Sequence, residues 1–196
     1  ILNGPIFKRR SPLLLTKETF KITPVKPINK LRREAEKSNP PLENSKSDKF
    51  DLVEIKNIDK SIKYDIRYAS ENNFMGSKFY KTSNAFLQRP AAEALKRVNE
   101  KLRSYGFGLL IHDAYRPWYV TKMFWDATPE DKKIFVANPQ NGSRHNRGCA
   151  VDLTLYELST GSPVEMISGY DEFTERAFPY YSVSYTHLRA HETRNY

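Results

Sequence analysis

A histidine and an aspartate stand seven residues apart, divided by a glycine, in the run Ser143-Arg144-His145-Asn146-Arg147-Gly148-Cys149-Ala150-Val151-Asp152-Leu153. From Cys149 onward the apolar positions Cys149, Val151, Leu153 and Leu155 alternate with Ala150, Asp152, Thr154 and Tyr156. That period of two predicts a strand with one buried face. On this reading Asp152 lies opposite the aliphatic residues and points away from the core, and Cys149 is a small core residue inside the strand. Gly148 permits the sharp turn that folds the loop histidine back beside the strand carboxylate. An imidazole and a carboxylate converging in this way supply two of the three protein ligands of a catalytic zinc, which keeps a fourth position for water. The same residues also fit a loop histidine and a strand-edge aspartate bonded to backbone, and spacing alone leaves both open.

Periodicity around this run outlines a mixed domain. Leu52, Val53 and Ile55, then Tyr64, Ile66 and Tyr68, predict two strands with a short connection. Pro90 opens the clearest helix, with Ala91, Leu95, Val98 and Leu102 as its apolar stripe and Gly106 as its stop. Residues 107–111 predict a buried strand leading into Asp113-Ala114-Tyr115-Arg116-Pro117, and 118–125 a second helix. Thr128-Pro129-Glu130-Asp131 reads as a cap that starts a short third helix.

The net charge of +9 belongs mostly to the N-terminal stretch. Residues 1–50 carry twelve Lys and Arg against five Asp and Glu, together with six of the twelve prolines. They read as a basic linker without a core of its own, so the folded part is expected to begin near Phe50. Without regular aromatic interleaving, this stretch reads as a solvated tether, and no nucleic-acid partner is expected. No apolar run reaches eighteen residues, so no transmembrane segment is expected. The single cysteine excludes an internal disulfide and leaves the redox compartment open, envelope and cytoplasm alike. The chain opens on Ile1 without a recognisable signal peptide, which implies a removed N-terminal piece or a reading that begins inside a gene.

The pattern Ser143-x-His145-x-x-Gly148-x-Ala150-x-Asp152-Leu153, preceded by the Asp113–Arg116 motif, resembles the zinc D-alanyl-D-alanine dipeptidases of the vancomycin-resistance type. Asp65-Ile66-Arg67-Tyr68-Ala69 before it and Gly169-Tyr170-Asp171 after it extend the resemblance over 51–182. The resemblance implies a single α+β domain of the D,D-peptidase or hedgehog-like kind, with a small, mainly antiparallel sheet flanked by helices. It implies one zinc ion per chain, held by His145, Asp152 and a later histidine, with Arg116 sharing the developing oxyanion. Arginine suits that task because it stays charged and presents a rigid fork of donors. The free ammonium of a D-Ala-D-Ala substrate would be held by Asp171 and Tyr68. Ser143 would bond the substrate carboxylate or brace the metal loop. Read on their own, Arg116 suits a salt bridge with Asp113, Tyr68 a half-buried strand aromatic, Asp171 a helix N-cap and Ser143 a turn residue.

The resembled family places a Glu-x-x-His motif, source of the general base and third ligand, beyond the matching segment, and no such motif occurs in this sequence. Residues 183–193 instead resemble one reading frame of a transposase adapter used in library preparation. The expectation is therefore a domain incomplete at its C-terminus, inactive as it stands, followed by a non-native tail over 183–196. His187 and His191, although four apart, receive no metal role on that reading. The parent activity implied is zinc-dependent hydrolysis of D-Ala-D-Ala in peptidoglycan precursor metabolism. The alternatives are a D,D-carboxypeptidase or L-Ala-D-Glu endopeptidase on longer murein peptides, and a non-hydrolytic module that binds cell-wall peptide.

Overall fold

Five strands and four helices appear in the computed structural model, which describes residues 19–42, 50–178 and 180–181. In chain order they are helix α1 (Ile28–Glu36), strand β1 (Leu52–Glu54), the single turn α2 (Ile55–Ile58), β2 (Lys63–Tyr64), β3 (Phe86–Gln88), α3 (Arg89–Arg103), β4 (Phe107–Asp113), α4 (Trp118–Ala127) and β5 (Asp152–Glu157). The 107–111 run becomes the middle of a three-stranded sheet, parallel to β2 and antiparallel to β5. β1 and β3 form a separate antiparallel pair in which Val53 faces Leu87. The architecture is the expected α+β domain, with its strands split between two small sheets rather than gathered in one.

Two apolar clusters hold these layers. One joins α3 to β4 through Ala92, Leu95, Leu109 and Ile111, and takes in Ile55, Ile62 and Leu87 of β3. The inward face of α3 is Ala92, Leu95 and Asn99, rotated from the predicted stripe, and Val98 is 49% exposed. The rotation has a polar cause. Buried Asn99 donates to Asp59 at 2.8 Å and Ser61 at 2.9 Å, and its carbonyl accepts the Leu109 N–H at 3.0 Å. A buried amide so fully partnered fixes which way the helix turns.

The other cluster overturns part of the tether reading. Leu31 and Ala35, four apart on one face of α1, are both fully buried against Val120, Met123, Phe124 and Ala127 of α4. Backbone bonds from Ile22 to Phe74 and from Val25 to Ala127 stitch the preceding residues down as well. Composition averaged over fifty residues hides a two-turn apolar stripe, and the stripe decides the packing. Residues 1–18 and 43–49 of the expected linker, and the tail over 183–196, lie outside the described residues.

Several local expectations also change. Tyr68 sits on a 3-10 turn, Arg67–Ala69, rather than in a strand. Thr128 closes α4 by donating to the Phe124 carbonyl at 2.7 Å, and the 3-10 helix that follows, Glu130–Phe135, receives no side-chain cap. Cys149 precedes β5 and is exposed, with its thiol directed at the Arg147 carbonyl. On β5 the most buried positions are Thr154 and Tyr156, on the Asp152 face, whereas Leu153 is 38% exposed. Tyr156 explains the inversion. Its ring lies so close over Gly108 of β4 that a β-carbon there would meet it at 2.5 Å, which seals that face of the sheet.

Candidate metal centre and substrate pocket

A bulge in β4 assembles the centre. Ile111 pairs with Leu153, but the next pair is Asp113 with Asp152, so His112 is an extra residue in the strand. The bulge re-aims the end of β4 and sets two carboxylates opposite each other. Just beyond it, Arg116 donates its backbone N–H to the His145 carbonyl at 3.1 Å, and its own carbonyl accepts from Asn146 at 2.8 Å. The histidine loop is thereby tied to the turn that follows β4. Gly148, at φ +66°, makes the return to β5; a β-carbon there would lie 2.5 Å from Leu52 Cδ2.

His145 Nδ1 lies 2.8 Å from the Ala114 carbonyl, which can only accept, so Nδ1 carries the proton. The lone pair of Nε2 then faces Asp152 Oδ1 at 3.4 Å. A tetrahedral zinc with bonds of about 2.0–2.1 Å holds neighbouring nitrogen and oxygen ligands about 3.3 Å apart. The tautomer and the separation both fit such an ion. Asp113, His145 and Asp152 bring potential ligand atoms within 4.8 Å of one another. Asp113 is nevertheless committed elsewhere. Its Oδ2 accepts two bonds from Arg116, at 2.9 and 2.7 Å, and its Oδ1 accepts the Tyr80 hydroxyl at 2.8 Å. Asp113 is thus engaged by the arginine and the tyrosine, and of the three His145 and Asp152 are the side chains that could hold a metal.

Electrostatics sort the three carboxyls. Burial pushes Asp113 up, against the pull of Arg116 and His145. Burial also opposes ionisation of Asp152, but His145 and Arg116 outweigh it and hold that carboxyl below its ordinary range. For His145, burial disfavours the cation, yet the neighbouring Asp152 raises its pKa on balance. Burial drives Asp171 up to about 7, beyond what the Tyr68 hydroxyl and Arg116 can offset.

All six residues singled out in the sequence line one cavity of about 240 Å³: Tyr68, Arg116, Ser143, His145, Asp152 and Asp171. Tyr68 is fully buried, and its hydroxyl donates to Asp171 Oδ2 at 2.5 Å. Asp171 caps no helix; it occupies a turn at φ +51°, and the nearby 3-10 turn is capped by Thr174. Ser143 braces the loop by accepting the His145 N–H at 3.2 Å. The Arg116 guanidinium packs 5.1 Å from the ring centres of both Tyr68 and Phe124, a cation set against two neighbouring aromatic rings. An adjoining cavity of about 880 Å³ shares Asp152 and Asp171 and reaches Arg67 and His112.

Three supporting residues escape a sequence reading that looks for chemistry alone: Tyr80, Asn146 and Tyr170. A fourth, Asp113, is the expected salt-bridge partner of Arg116, and the structure shows that bridge at 2.7 Å. Tyr170, whose hydroxyl donates to Asp152 Oδ2 at 3.2 Å, had only its place beside Asp171.

Comparison with known proteins identifies the family. The model of the D-ala-D-ala dipeptidase family matches residues 48–195, a span that runs on through most of the tail. A D-alanyl-D-alanine dipeptidase of Escherichia coli K12 is 33% identical over 135 residues, covering 69% of this chain and 68% of the relative. Proteins of the same name from Enterococcus faecalis and Enterococcus faecium are 33% and 34% identical, each covered over 66% of its length. The chain thus spans about two thirds of the curated relatives it matches. Matched by that family model over most of its length and by these relatives, this chain belongs to the D-ala-D-ala dipeptidase family of peptidases.

Proposed function

We propose that this chain carries the metal and substrate site of a zinc-dependent dipeptidase that takes D-Ala-D-Ala, in peptidoglycan precursor supply or recycling. One observation supports the reading above the others: the Tyr68–Asp171 pair and the His145–Asp152 pair line the same small cavity. A free dipeptide has an ammonium at one end and a scissile carbonyl a few bonds away. Asp171 would take the ammonium, with the Tyr68 oxygen as a second acceptor. An ammonium buried without such partners costs several kcal/mol.

Zinc between His145 and Asp152 would supply a water of lowered pKa and polarise the carbonyl. The chain's own residues would do the rest. Arg116 presents fixed donors to negative charge developing on the carbonyl oxygen, and Asp113 holds that fork in place. His145 keeps its Nδ1 proton on the Ala114 carbonyl and so offers only Nε2. Among the described residues lining the cavity, Asp152 and Asp171 are the carboxylates, and both have assigned roles.

A second reading, cleavage of longer murein peptides, draws on the wide adjoining cavity. The ammonium clamp argues against it, because the corresponding nitrogen of a longer peptide is an uncharged amide.

Binding experiments test the proposal. Zinc uptake should be lost in His145→Ala and Asp152→Ala and kept in Arg116→Ala. Zinc-loaded chain should bind D-Ala-D-Ala about 100-fold more tightly than its N-acetylated form, the order expected for a desolvated ionic contact. Equal affinity for the two ligands would remove the clamp and favour the longer substrates.

A further inference from the structure

We propose that Tyr170 is a positioning residue that commits Asp152 to the metal through one oxygen only. The inference rests on the zinc reading above and extends it to a residue outside the six already assigned.

The geometry divides the two oxygens of Asp152. Oδ1 faces His145 Nε2 at 3.4 Å, on the metal side. Oδ2 accepts the Tyr170 hydroxyl at 3.2 Å and lies 3.6 Å from Arg116 Nη2. A carboxylate left to itself can swing and chelate an ion with both oxygens. Chelation would fill the coordination position that a catalytic zinc keeps for water. Donors fixed on Oδ2 oppose that swing, as outer partners of metal ligands generally do.

Tyr170 is itself held for the task. Its ring packs 5.0 Å from that of His112, the extra residue of the β4 bulge, and 6.0 Å from that of Tyr68. The Arg67 guanidinium stands 5.8 Å from its centre. Asp171, at φ +51°, turns the chain so that consecutive side chains serve two places: Tyr170 reaches Asp152 and Asp171 reaches Tyr68. Aspartate is among the few non-glycine residues that adopt this left-handed conformation readily, so the turn suits the residue that makes it. One short turn therefore places both the brace of the metal carboxylate and the anionic half of the clamp.

Tyr170→Phe keeps the ring and its packing and removes only the hydroxyl. Cobalt titration of the full chain, wild type beside variant, gives two readouts that do not depend on turnover. Affinity should fall about 10–100-fold in the variant, the usual loss when a partner of a metal ligand is removed. The visible cobalt absorption should weaken, since intensity falls as coordination expands from four. Wild-type and variant chains with the same affinity and the same band intensity would overturn the proposal while leaving the metal site intact. A wild type that takes up no cobalt would overturn the metal reading and this proposal together.

Discussion

The Tyr68 hydroxyl donates to Asp171 Oδ2 across 2.5 Å, joining residues 103 positions apart at one end of the small cavity. The bond matters because Asp171 is poised between charge states, its carboxyl driven by burial up to about 7. Below that pH the side chain is a neutral acid that cannot balance an ammonium. Above it the carboxylate is formed, and the proposed clamp has the charge it needs.

Dipeptide affinity should therefore rise with pH through about 7, changing up to about tenfold per unit on the acid side. The sign for stability is the reverse. A carboxyl whose pKa is raised on folding, here from 3.8 to about 7, stabilises the fold fully below the unfolded value, and that contribution is lost as pH rises through about 7. Asp171→Asn tolerates the left-handed backbone and should abolish the part of both dependences that belongs to this residue. Calorimetry and thermal melts between about pH 5 and about pH 8 check it. If wild type and variant share one pH profile, the titrating group is elsewhere.

Asp113 separates two roles that distance alone leaves merged. It is fully buried and holds Arg116 through two bonds to one oxygen. Asp113→Ala leaves a buried guanidinium without its partner and should cost about 3–5 kcal/mol in unfolding free energy. Asp113→Asn preserves shape and some hydrogen bonding, so it is the variant for metal analysis. Zinc content should match wild type if, as proposed, the metal is held by His145 and Asp152. A stoichiometric loss of zinc in Asp113→Asn would make this carboxylate the third ligand.

The sequence shows the parts of the site more clearly than the supports that hold them. His145, Asp152, Arg116 and Asp171 stand out through the family resemblance, since on their own each also fits an ordinary structural role. The bulge at His112 leaves no trace in periodicity, since one extra residue in a seven-residue strand is invisible without its partner. Asn99 misled the reading of α3 because a polar residue normally marks the outer face of a helix, whereas here it is fully bonded inside. On β5 the alternation was legible but its sense was not. The ring of Tyr156 over Gly108 closes the face that polarity would assign to solvent.

Gly148 couples the backbone to the metal. At φ +66° an alanine pays a conformational cost of about 1–2 kcal/mol. Its β-carbon would also meet Leu52 Cδ2 at 2.5 Å and the Gln88 amide nitrogen at 3.2 Å, adding about 1–3 kcal/mol of overlap. Leu52, 36% exposed, can swing aside, but the Gln88 backbone nitrogen is fixed by its strand, so the remaining relief falls on the loop that carries His145. Gly148→Ala should lower both unfolding free energy and zinc affinity. Gly106→Ala is the control: φ is +85° but nothing lies within 4 Å of the new carbon, so only the conformational cost remains and zinc affinity stays constant. Urea titration and zinc competition on the two variants distinguish a site-coupled glycine from a merely strained one.

Helix α1 tests whether residues 19–42 belong to the domain. Leu31 is fully exposed to water only if the segment is a tether; in the structure it is fully buried against α4, one turn from Ala35. Removing most of a buried leucine side chain costs about 2–5 kcal/mol, the spread reflecting how far the neighbours collapse. Leu31→Ala should therefore lower the unfolding free energy of the whole chain in one cooperative transition. Arg33, on the exposed face of the same helix, gives the comparison: Arg33→Ala should stay within about 0.5 kcal/mol of wild type. The effect should also reach the site, because Phe124 packs on the same cluster as Leu31 and on the Arg116 guanidinium. Denaturant melts that leave Leu31→Ala indistinguishable from wild type would return α1 to the role of a loose linker.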